Sequence, residues 1–230
     1  MTADLPYVPL TDWQRQHLRK YDNIIHWTSG NVIVMFQGKC ANTAIKAAIL
    51  TAEGGIDPTV NVHGDPRLDY VSRDYAIKYR QTVPVLAVVR RPWDRIVSFW
   101  RDKVAERTPD RFTCTYVPGA YASMPFPDFV GAVLTGGMPK GDLAPAHPFL
   151  TAHGLPIPRE TIKFEDLVAG PGWQTFRRWT AKAWDLPETL PHFNRPKVAK
   201  PVLDRETEQR LRVAVYAHYY TDYKLFGWNA

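Results

Sequence analysis

The strongest structural signal in this chain of 230 residues is Val32-Ile-Val-Met-Phe-Gln-Gly-Lys-Cys-Ala-Asn-Thr-Ala-Ile-Lys46. Five consecutive apolar residues predict a buried strand over 32–36, and a polar turn with Lys39 and Thr43 follows it. The helix predicted next ends at the glycine pair 54–55. Its apolar residues recur at helical spacing: Ile45, Ala48, Ile49 and Ala52. Such a strand, turn and helix direct backbone N–H groups and the positive end of a helix at one point, which suits an anionic ligand.

A second stretch repeats this arrangement: Val85-Leu-Ala-Val-Val-Arg-Arg-Pro-Trp-Asp-Arg-Ile-Val-Ser-Phe-Trp100. The strand predicted over 84–89 is apolar after its first residue, which is typical of a central parallel strand covered on both faces. Arg90 ends that strand, Pro92 stands at the first position of the next helix, and Ser98 lies on that helix. Two such units in one domain indicate a ligand with phosphate-like groups at both ends, and therefore a nucleotide-like donor.

The remaining segments alternate between helix and strand. Helices are predicted over 11–21, 66–79, 172–184 and 204–220, strands over 58–62 and 160–164, and proline-rich loops over 105–127 and 190–201. This alternation indicates an α/β fold with three layers, a mainly parallel central sheet and helices on both faces. We expect a single domain over residues 1–230, with 105–157 as an insertion on the substrate side.

Composition limits the class of protein without choosing a ligand. A hydrophobic content of 45% supports a full core, and a net charge of +6 favours anionic partners such as nucleotides, acidic glycans or nucleic acids. No run of like charges forms a basic nucleic-acid-binding tail. Cys40 and Cys114 match neither a zinc spacing nor a disulfide scaffold, so we expect reduced thiols. With no signal peptide and no apolar segment of about 20 residues, we expect a soluble cytoplasmic protein.

The first turn is not a Walker A loop. Gln37-Gly-Lys-Cys-Ala-Asn-Thr43 lacks both the leading glycine of that motif and the hydroxyl residue directly after Lys39. Alone, a Gly-Lys turn between a strand and a helix is also compatible with an ordinary surface turn and a solvated lysine. The second stretch makes a phosphate site the stronger interpretation.

Taken together, the two stretches resemble the signatures of the PAPS-dependent sulfotransferases, and in particular the carbohydrate branch with the heparan 2-O- and chondroitin/dermatan enzymes. Gly38-Lys-Cys-Ala-Asn-Thr-Ala44 occupies the frame of the family's Pro-Lys-x-Ala/Gly-Ser-Thr-Ser. Arg90-Arg-Pro-Trp-Asp-Arg-Ile-Val-Ser-Phe99 is similar to its second signature nearly residue for residue. Later landmarks follow in order at Phe164-Glu-Asp-Leu, Leu190-Pro-His-Phe-Asn194 and Tyr219-Tyr-Thr-Asp-Tyr-Lys-Leu-Phe-Gly-Trp228. The resemblance implies a P-loop-NTPase-like sulfotransferase fold.

The resemblance also implies a donor and the residues that bind it. The donor is PAPS, 3'-phosphoadenosine 5'-phosphosulfate, with Lys39 at the bridging oxygen and Arg90 and Ser98 at the 3'-phosphate. The implied donor-binding set is Gly38, Lys39, Cys40, Ala41, Asn42, Thr43, Ala44, Arg90, Ser98, Arg195 and Lys197. Gly38 stands where the family has proline and Ala44 where it has a hydroxyl residue, which removes one potential phosphate contact. For the basic loop with Arg195 and Lys197, solvation without ligand contact is an equal alternative.

The acceptor hydroxyl must lose a proton, and the family's carbohydrate branch places a histidine between the two signatures. His63 falls in that interval and is the candidate base, because a neutral imidazole accepts a proton near neutral pH. A loop histidine bonded to its own backbone is the alternative interpretation. Asp65, His147 and Glu165 are reserve candidates.

The functional prediction is sulfuryl transfer from PAPS to an acceptor hydroxyl on a carbohydrate, with no metal ion, no nucleic-acid partner and no membrane span. Two alternatives are open at this stage. One is a nucleotide kinase of P-loop type, which the incomplete Walker A motif argues against. The other is a non-catalytic family member that binds polyanions, which the departures at Gly38 and Ala44 leave open. The sequence contains no motif that identifies the acceptor.

Overall fold

A five-stranded sheet forms the centre of the protein in the computed structural model, which describes residues 23–56, 61–105, 117, 119–136, 141–191 and 198–229. Its strands are β1 (Ile24–Trp27), β2 (Val32–Phe36), β3 (Asp69–Tyr70), β4 (Val85–Val89) and β7 (Glu160–Lys163), in the spatial order β3-β1-β2-β4-β7. Two short strands, β5 (Thr151–Ala152) and β6 (Leu155–Pro156), form a separate hairpin.

The sheet is mixed. β4 lies parallel to both β2 and β7, with Ile33 opposite Val85 and Leu86 opposite Glu160. β1 pairs antiparallel with β2 and with β3. The turn from β1 to β2 spans only residues 28–31, and so short a connection requires antiparallel strands. The parallel centre matches the sequence prediction, and the antiparallel pairs at β1 make the whole sheet mixed.

Helices cover both faces of the sheet, as predicted. Their bounds are α1 (Asn42–Ala52), α2 (Arg73–Tyr79), α3 (Pro92–Lys103), α4 (Phe126–Thr135), α5 (Ala146–Leu150), α6 (Phe164–Ala169), α7 (Pro171–Arg178), α8 (Arg205–His218) and α9 (Tyr220–Phe226). On one face, α1, α6 and α7 bury apolar residues against alternate strand positions such as Val34 and Leu86. On the other, the remaining helices pack against the intervening positions such as Ile33 and Ala87. β2 and β4 are therefore apolar at every position because both of their faces are buried.

Several predicted elements agree with the structure and others do not. The strand at 32–36, the helix beginning at Pro92 and the strand beginning at Glu160 form as predicted. The helix predicted over 66–79 is wrong in its first half, because β3 occupies that part and α2 begins after Ser72, whose side chain accepts a hydrogen bond from the Tyr75 N–H.

The two later helices also differ from the prediction. The helix predicted over 172–184 ends at Arg178, and the one predicted over 204–220 breaks at Tyr219 into α8 and α9. The helix at 11–21 lies outside the described residues, and so does most of the strand at 58–62. Within the described ranges, no helix combines the length and the apolar character needed to cross a bilayer.

Candidate active site

The loop between β2 and α1 has an unusual backbone. Lys39 and Ala41 both adopt left-handed conformations, with φ of 61° and 58°. Ala41 stands at the N-cap of α1 without a side-chain cap, and the first turn of the helix contains no acidic residue. The first N–H groups of α1 therefore have no side-chain oxygen at the cap to accept from them, an arrangement that suits an anionic ligand.

The loop conformation also depends on a close approach by a distant segment. A Cβ atom at Gly38 would lie 2.1 Å from Oδ1 and 2.5 Å from Cα of Asp142, so only glycine fits without displacing the backbone there. Next to it, Gln37 Nε2 donates to the carbonyl oxygen of Ala144 at 3.0 Å. Residues 141–144 therefore pack against the loop and support its conformation. Burial raises the pKa of the Asp142 carboxyl. No sequence motif indicated this contact.

Lys39 forms an ion pair with the second signature helix. Its Nζ lies 2.7 Å from Oδ2 of Asp102 on α3, and its side chain is 19% exposed. Lys103 Nζ lies 3.7 Å from the same carboxylate oxygen. Ser98 is half-buried on α3, one turn before Asp102 and on the same face of the helix. The predicted site serine therefore lies one helical turn from the carboxylate that pairs with the predicted site lysine.

Arg90 joins the two predicted signatures directly. Its Nη1 donates to the carbonyl oxygen of Lys39 at 3.1 Å, and its guanidinium lies 4.3 Å from the ring centre of Phe164. Burial lowers the pKa of Arg90, and its Nε has no partner among the described residues. Because β2, β4 and β7 are parallel, their carboxyl ends place Lys39, Arg90 and Phe164 at one edge of the sheet.

His63 contacts the first turn of α1. Its Nε2 lies 3.0 Å from the Thr43 hydroxyl oxygen and its Nδ1 lies 3.4 Å from Nζ of Lys46. Burial, and secondarily the charge of Lys46, lowers the pKa of His63 to about 4. The ring is therefore neutral near pH 7. Lys46 did not stand out in the sequence, where it occupies an ordinary helical position.

The reserve candidates for the base have different surroundings. Asp65 is buried and binds the Arg67 guanidinium with both oxygens, at 2.9 Å and 2.7 Å, which is a structural ion pair. Glu165 Oε1 lies 3.4 Å from the backbone N of Arg91. His147 Nδ1 lies 3.0 Å from Oδ1 of Asp222.

Four further residues from the sequence analysis are Arg195, Lys197, Cys114 and Cys40. Arg195 and Lys197, predicted to contact the nucleotide, lie outside the described residues, as does Cys114. Cys40 is a free, fully buried thiol at the base of the loop. Burial raises the pKa of Cys40 to about 12, so the thiol is protonated, and its Sγ donates to the carbonyl oxygen of Gly38 at 3.3 Å within the loop.

A cavity of about 260 Å³ lies beside β7, away from the loop. It is lined by Leu150, Thr151, Pro156, Pro158, Thr161, Lys163, Leu225 and Phe226. The lining includes none of the predicted nucleotide-binding residues that the structure describes. In the part of the chain that the structure describes, no three His, Cys, Asp or Glu side chains group together as metal ligands.

Comparison with known families identifies the class of protein. The model of the Sulfotransferase family matches residues 38–229, which include the loop, Arg90, α3 and the last two helices. The chain belongs to this family, whose members are transferases that move sulfuryl groups. No curated protein and no solved structure matches the chain.

Proposed function

We propose that this protein transfers a sulfuryl group from PAPS to an acceptor hydroxyl, with a carbohydrate as the acceptor class. The observation that carries the proposal is the hydrogen bond from Arg90 to the Lys39 carbonyl, which brings the two predicted phosphate-binding cations to one edge of the sheet. We extend the proposal to a three-layer, P-loop-like arrangement around this edge, of the carbohydrate-sulfotransferase type.

The proposed reaction is an in-line displacement at sulfur. The acceptor oxygen forms a bond to sulfur while the bond from sulfur to the bridging oxygen of the 5'-phosphate breaks, which yields a sulfate ester and adenosine 3',5'-bisphosphate. The N–H groups at the start of α1 and the Thr43 hydroxyl would hold the 5'-phosphate. Lys39 would stabilise charge on the leaving oxygen, as positioned cations do in phosphoryl transfer. An ammonium has three N–H donors, so Lys39 can bind this oxygen and Asp102 together.

Recognition of the donor depends on its second phosphate. Arg90 presents a planar fork of donors, which suits a terminal phosphate, and the Ser98 hydroxyl is a second donor on α3. Arg195 and Lys197 are included in the proposal as additional cations over the nucleotide. The proposal assigns charge neutralisation to these side chains and includes no metal ion.

The proton of the acceptor hydroxyl goes to a base in this proposal. His63 is the candidate from the sequence, and its neutral ring has the protonation state that the role requires. Whether His63 accepts a proton or donates one depends on which ring nitrogen holds the hydrogen. His147, paired with Asp222, is the second candidate.

Calorimetric titration with adenosine 3',5'-bisphosphate tests the proposal most directly. We expect wild-type protein to bind it and Arg90→Ala to bind about 10- to 100-fold more weakly, the effect of losing hydrogen bonds to a charged group. Adenosine 5'-monophosphate, which lacks the 3'-phosphate, should bind both proteins equally. Arg178→Ala on α7 is the matched control, because Arg178 is exposed and its guanidinium donates to the Thr175 hydroxyl.

Two results would contradict the proposal: no binding of the bisphosphate by the wild type, or equal binding by wild type and Arg90→Ala. A separate assay distinguishes an enzyme from a polyanion-binding protein. Incubation with ³⁵S-labelled PAPS and a panel of glycans should produce labelled acceptor. A protein that only binds polyanions would bind the nucleotide or the glycan and leave no labelled product.

A further inference from the structure

Lys46 is a fully buried charged residue that the proposed reaction does not use. It lies on α1 at 0% exposure, between the loop and β3. Its Nζ donates to Oδ1 of Asn23 at 2.8 Å and to the Tyr70 hydroxyl at 2.9 Å, and it lies 4.7 Å from the centre of the Tyr70 ring. A buried ammonium is costly unless such partners surround it, and together they fix its position.

The His63 ring lies between this ammonium and the Thr43 hydroxyl. An ammonium has only donors, so His63 Nδ1, 3.4 Å from Lys46 Nζ, can only accept. A neutral imidazole with its lone pair on Nδ1 holds its hydrogen on Nε2. That hydrogen faces Thr43 Oγ1 across 3.0 Å, and the hydroxyl oxygen accepts it.

The backbone of His63 is held on both sides of the ring. Asn61 Oδ1 accepts from its N–H at 3.0 Å, and the Tyr70 hydroxyl donates to its carbonyl oxygen at 3.1 Å. Tyr70 therefore contacts both Lys46 and His63, so the lysine and the imidazole share one support. These bonds hold the His63 backbone, and the contacts of the ring nitrogens with Thr43 and Lys46 hold the ring itself.

We propose that Lys46 is a positioning residue that fixes His63 with its hydrogen on Nε2, so that His63 donates to Thr43 and orders the first turn of α1 around a phosphate. The phosphate in this statement rests on the proposed function, whereas the tautomer does not. Burial is the larger cause of the low pKa of His63, and the charge of Lys46 beside the ring lowers this pKa further. With Nε2 protonated, His63 in this state has no lone pair there for the proton of an alcohol.

His147 has the opposite arrangement. The carboxylate of Asp222, 1% exposed, accepts at Oδ1 from the Nδ1 side of His147, which leaves Nε2 of that ring with the lone pair. Of the two histidines considered as bases, His147 is therefore the one whose outer nitrogen can accept a proton.

Long-range proton–nitrogen NMR correlations of the histidine rings at pH 7 test the tautomer without any ligand. In the wild type we expect His63 to show a protonated Nε2 and an unprotonated Nδ1. In Lys46→Met we expect signals averaged over both tautomers and a pKa of His63 that moves upward. His63→Gln identifies the signals by removing them.

His26 provides an internal control in the same spectra. Its Nδ1 contacts the Tyr75 hydroxyl at 3.0 Å, away from Lys46, so its signals should not change in a folded variant. If Lys46→Met does not fold, Tyr70→Phe removes one acceptor of the ammonium and should shift the His63 signals in the same direction. A protonated Nδ1 in the wild type, or an unchanged tautomer in a folded Lys46→Met protein, would overturn the proposal.

Affinity for adenosine 3',5'-bisphosphate tests the functional part. Glutamine keeps an N–H donor but is no base, so His63→Gln should bind within about threefold of wild type, while His63→Ala should bind about tenfold more weakly. A histidine that acts only as a base would leave both affinities unchanged, and that result would overturn the positioning role. Failure of the wild type to bind would instead contradict the proposed function and leave the NMR result standing.

Discussion

Lys39, taken as a single residue, has two negatively charged partners in the proposed complex. In the free protein its ammonium binds Asp102 at 2.7 Å, and in the proposed complex it also faces the leaving oxygen of the donor. The carboxylate holds Lys39 at the edge of the sheet, yet its own negative charge repels an anionic ligand. The ion pair is partly exposed and therefore contributes little to stability. A variant at Asp102 should fold, so its effect on ligand affinity can be measured.

We therefore expect Asp102→Asn to bind adenosine 3',5'-bisphosphate several-fold more tightly, a change of about 1 kcal/mol, the usual limit for a partly exposed charge pair. The amide keeps the shape of the carboxylate and removes its charge. Titration at low and high salt measures the change, which should shrink as salt screens the charges.

Asp94→Asn is the matched control for this variant, since Asp94 lies on the same helix and its carboxylate faces Arg91 at 4.0 Å. We expect a smaller change in affinity there. Weaker binding by Asp102→Asn would show that the carboxylate is needed to aim the lysine and that its repulsion of the ligand is secondary.

At the scale of elements, α5 and α9 are joined by one buried carboxylate. Asp222 on α9 accepts from the backbone N–H groups of Ala146 and His147, at 2.6 Å and 2.9 Å, and also contacts the His147 ring. This bond set caps a helix of one and a half turns, which could not form stably alone. Residues 141–144, which precede α5, pack against the loop at Gly38. By holding the start of α5, Asp222 indirectly supports the conformation of the loop.

Asp222→Asn should lower the free energy of unfolding by about 2 kcal/mol, because the amide cannot accept from all of these donors and leaves a buried group without a partner. Urea denaturation followed by circular dichroism measures this. Asp128→Asn, at an exposed position in the first turn of α4, should change stability by no more than about 0.5 kcal/mol. Equal losses in the two variants would show that Asp222 contributes no more than an ordinary charge near a helix terminus.

At the scale of the whole molecule, burial lowers the pKa of both His26 and His63. Between the ordinary histidine pKa of about 6.5 and the folded value of about 4 for His63, the unfolded chain binds more protons than the folded one. The contribution of neutral His63 to the free energy of unfolding is therefore fully present above pH 6.5 and is lost as the pH decreases through this window.

Lowering the pH from 7.5 to 5 should remove at most about 2 kcal/mol of stability through His63. Thermal unfolding at pH 7.5 and pH 5 should show a larger decrease in Tm for wild type than for His63→Gln, in which no proton binds at this position. His26 is present in both proteins, so its contribution cancels in the comparison. An equal decrease in both would mean that His63 is not neutral in the folded state.

Much of the fold could be predicted from local patterns. The apolar run at 32–36 and the position of Pro92 determine where a strand and a helix form, since both depend on neighbouring residues alone. β1 went unpredicted, although Thr28-Ser-Gly-Asn31 between two apolar runs is a hairpin signal. The helix predicted over 66–79 failed because Ser72 caps a shorter helix and the residues before it pair with β1.

The candidate site likewise contains features that local sequence predicts and features that depend on packing between elements. The order of residues along the chain is enough to predict that Lys39 and Arg90 follow buried strands, and parallel strands place both at one edge of the sheet. The partners of the side chains follow from the packing of the folded chain: Asp102 for Lys39, and Lys46 with Thr43 for His63. Those contacts join residues from 17 to 63 positions apart in the chain, where packing between elements sets the distances and no local periodicity records them.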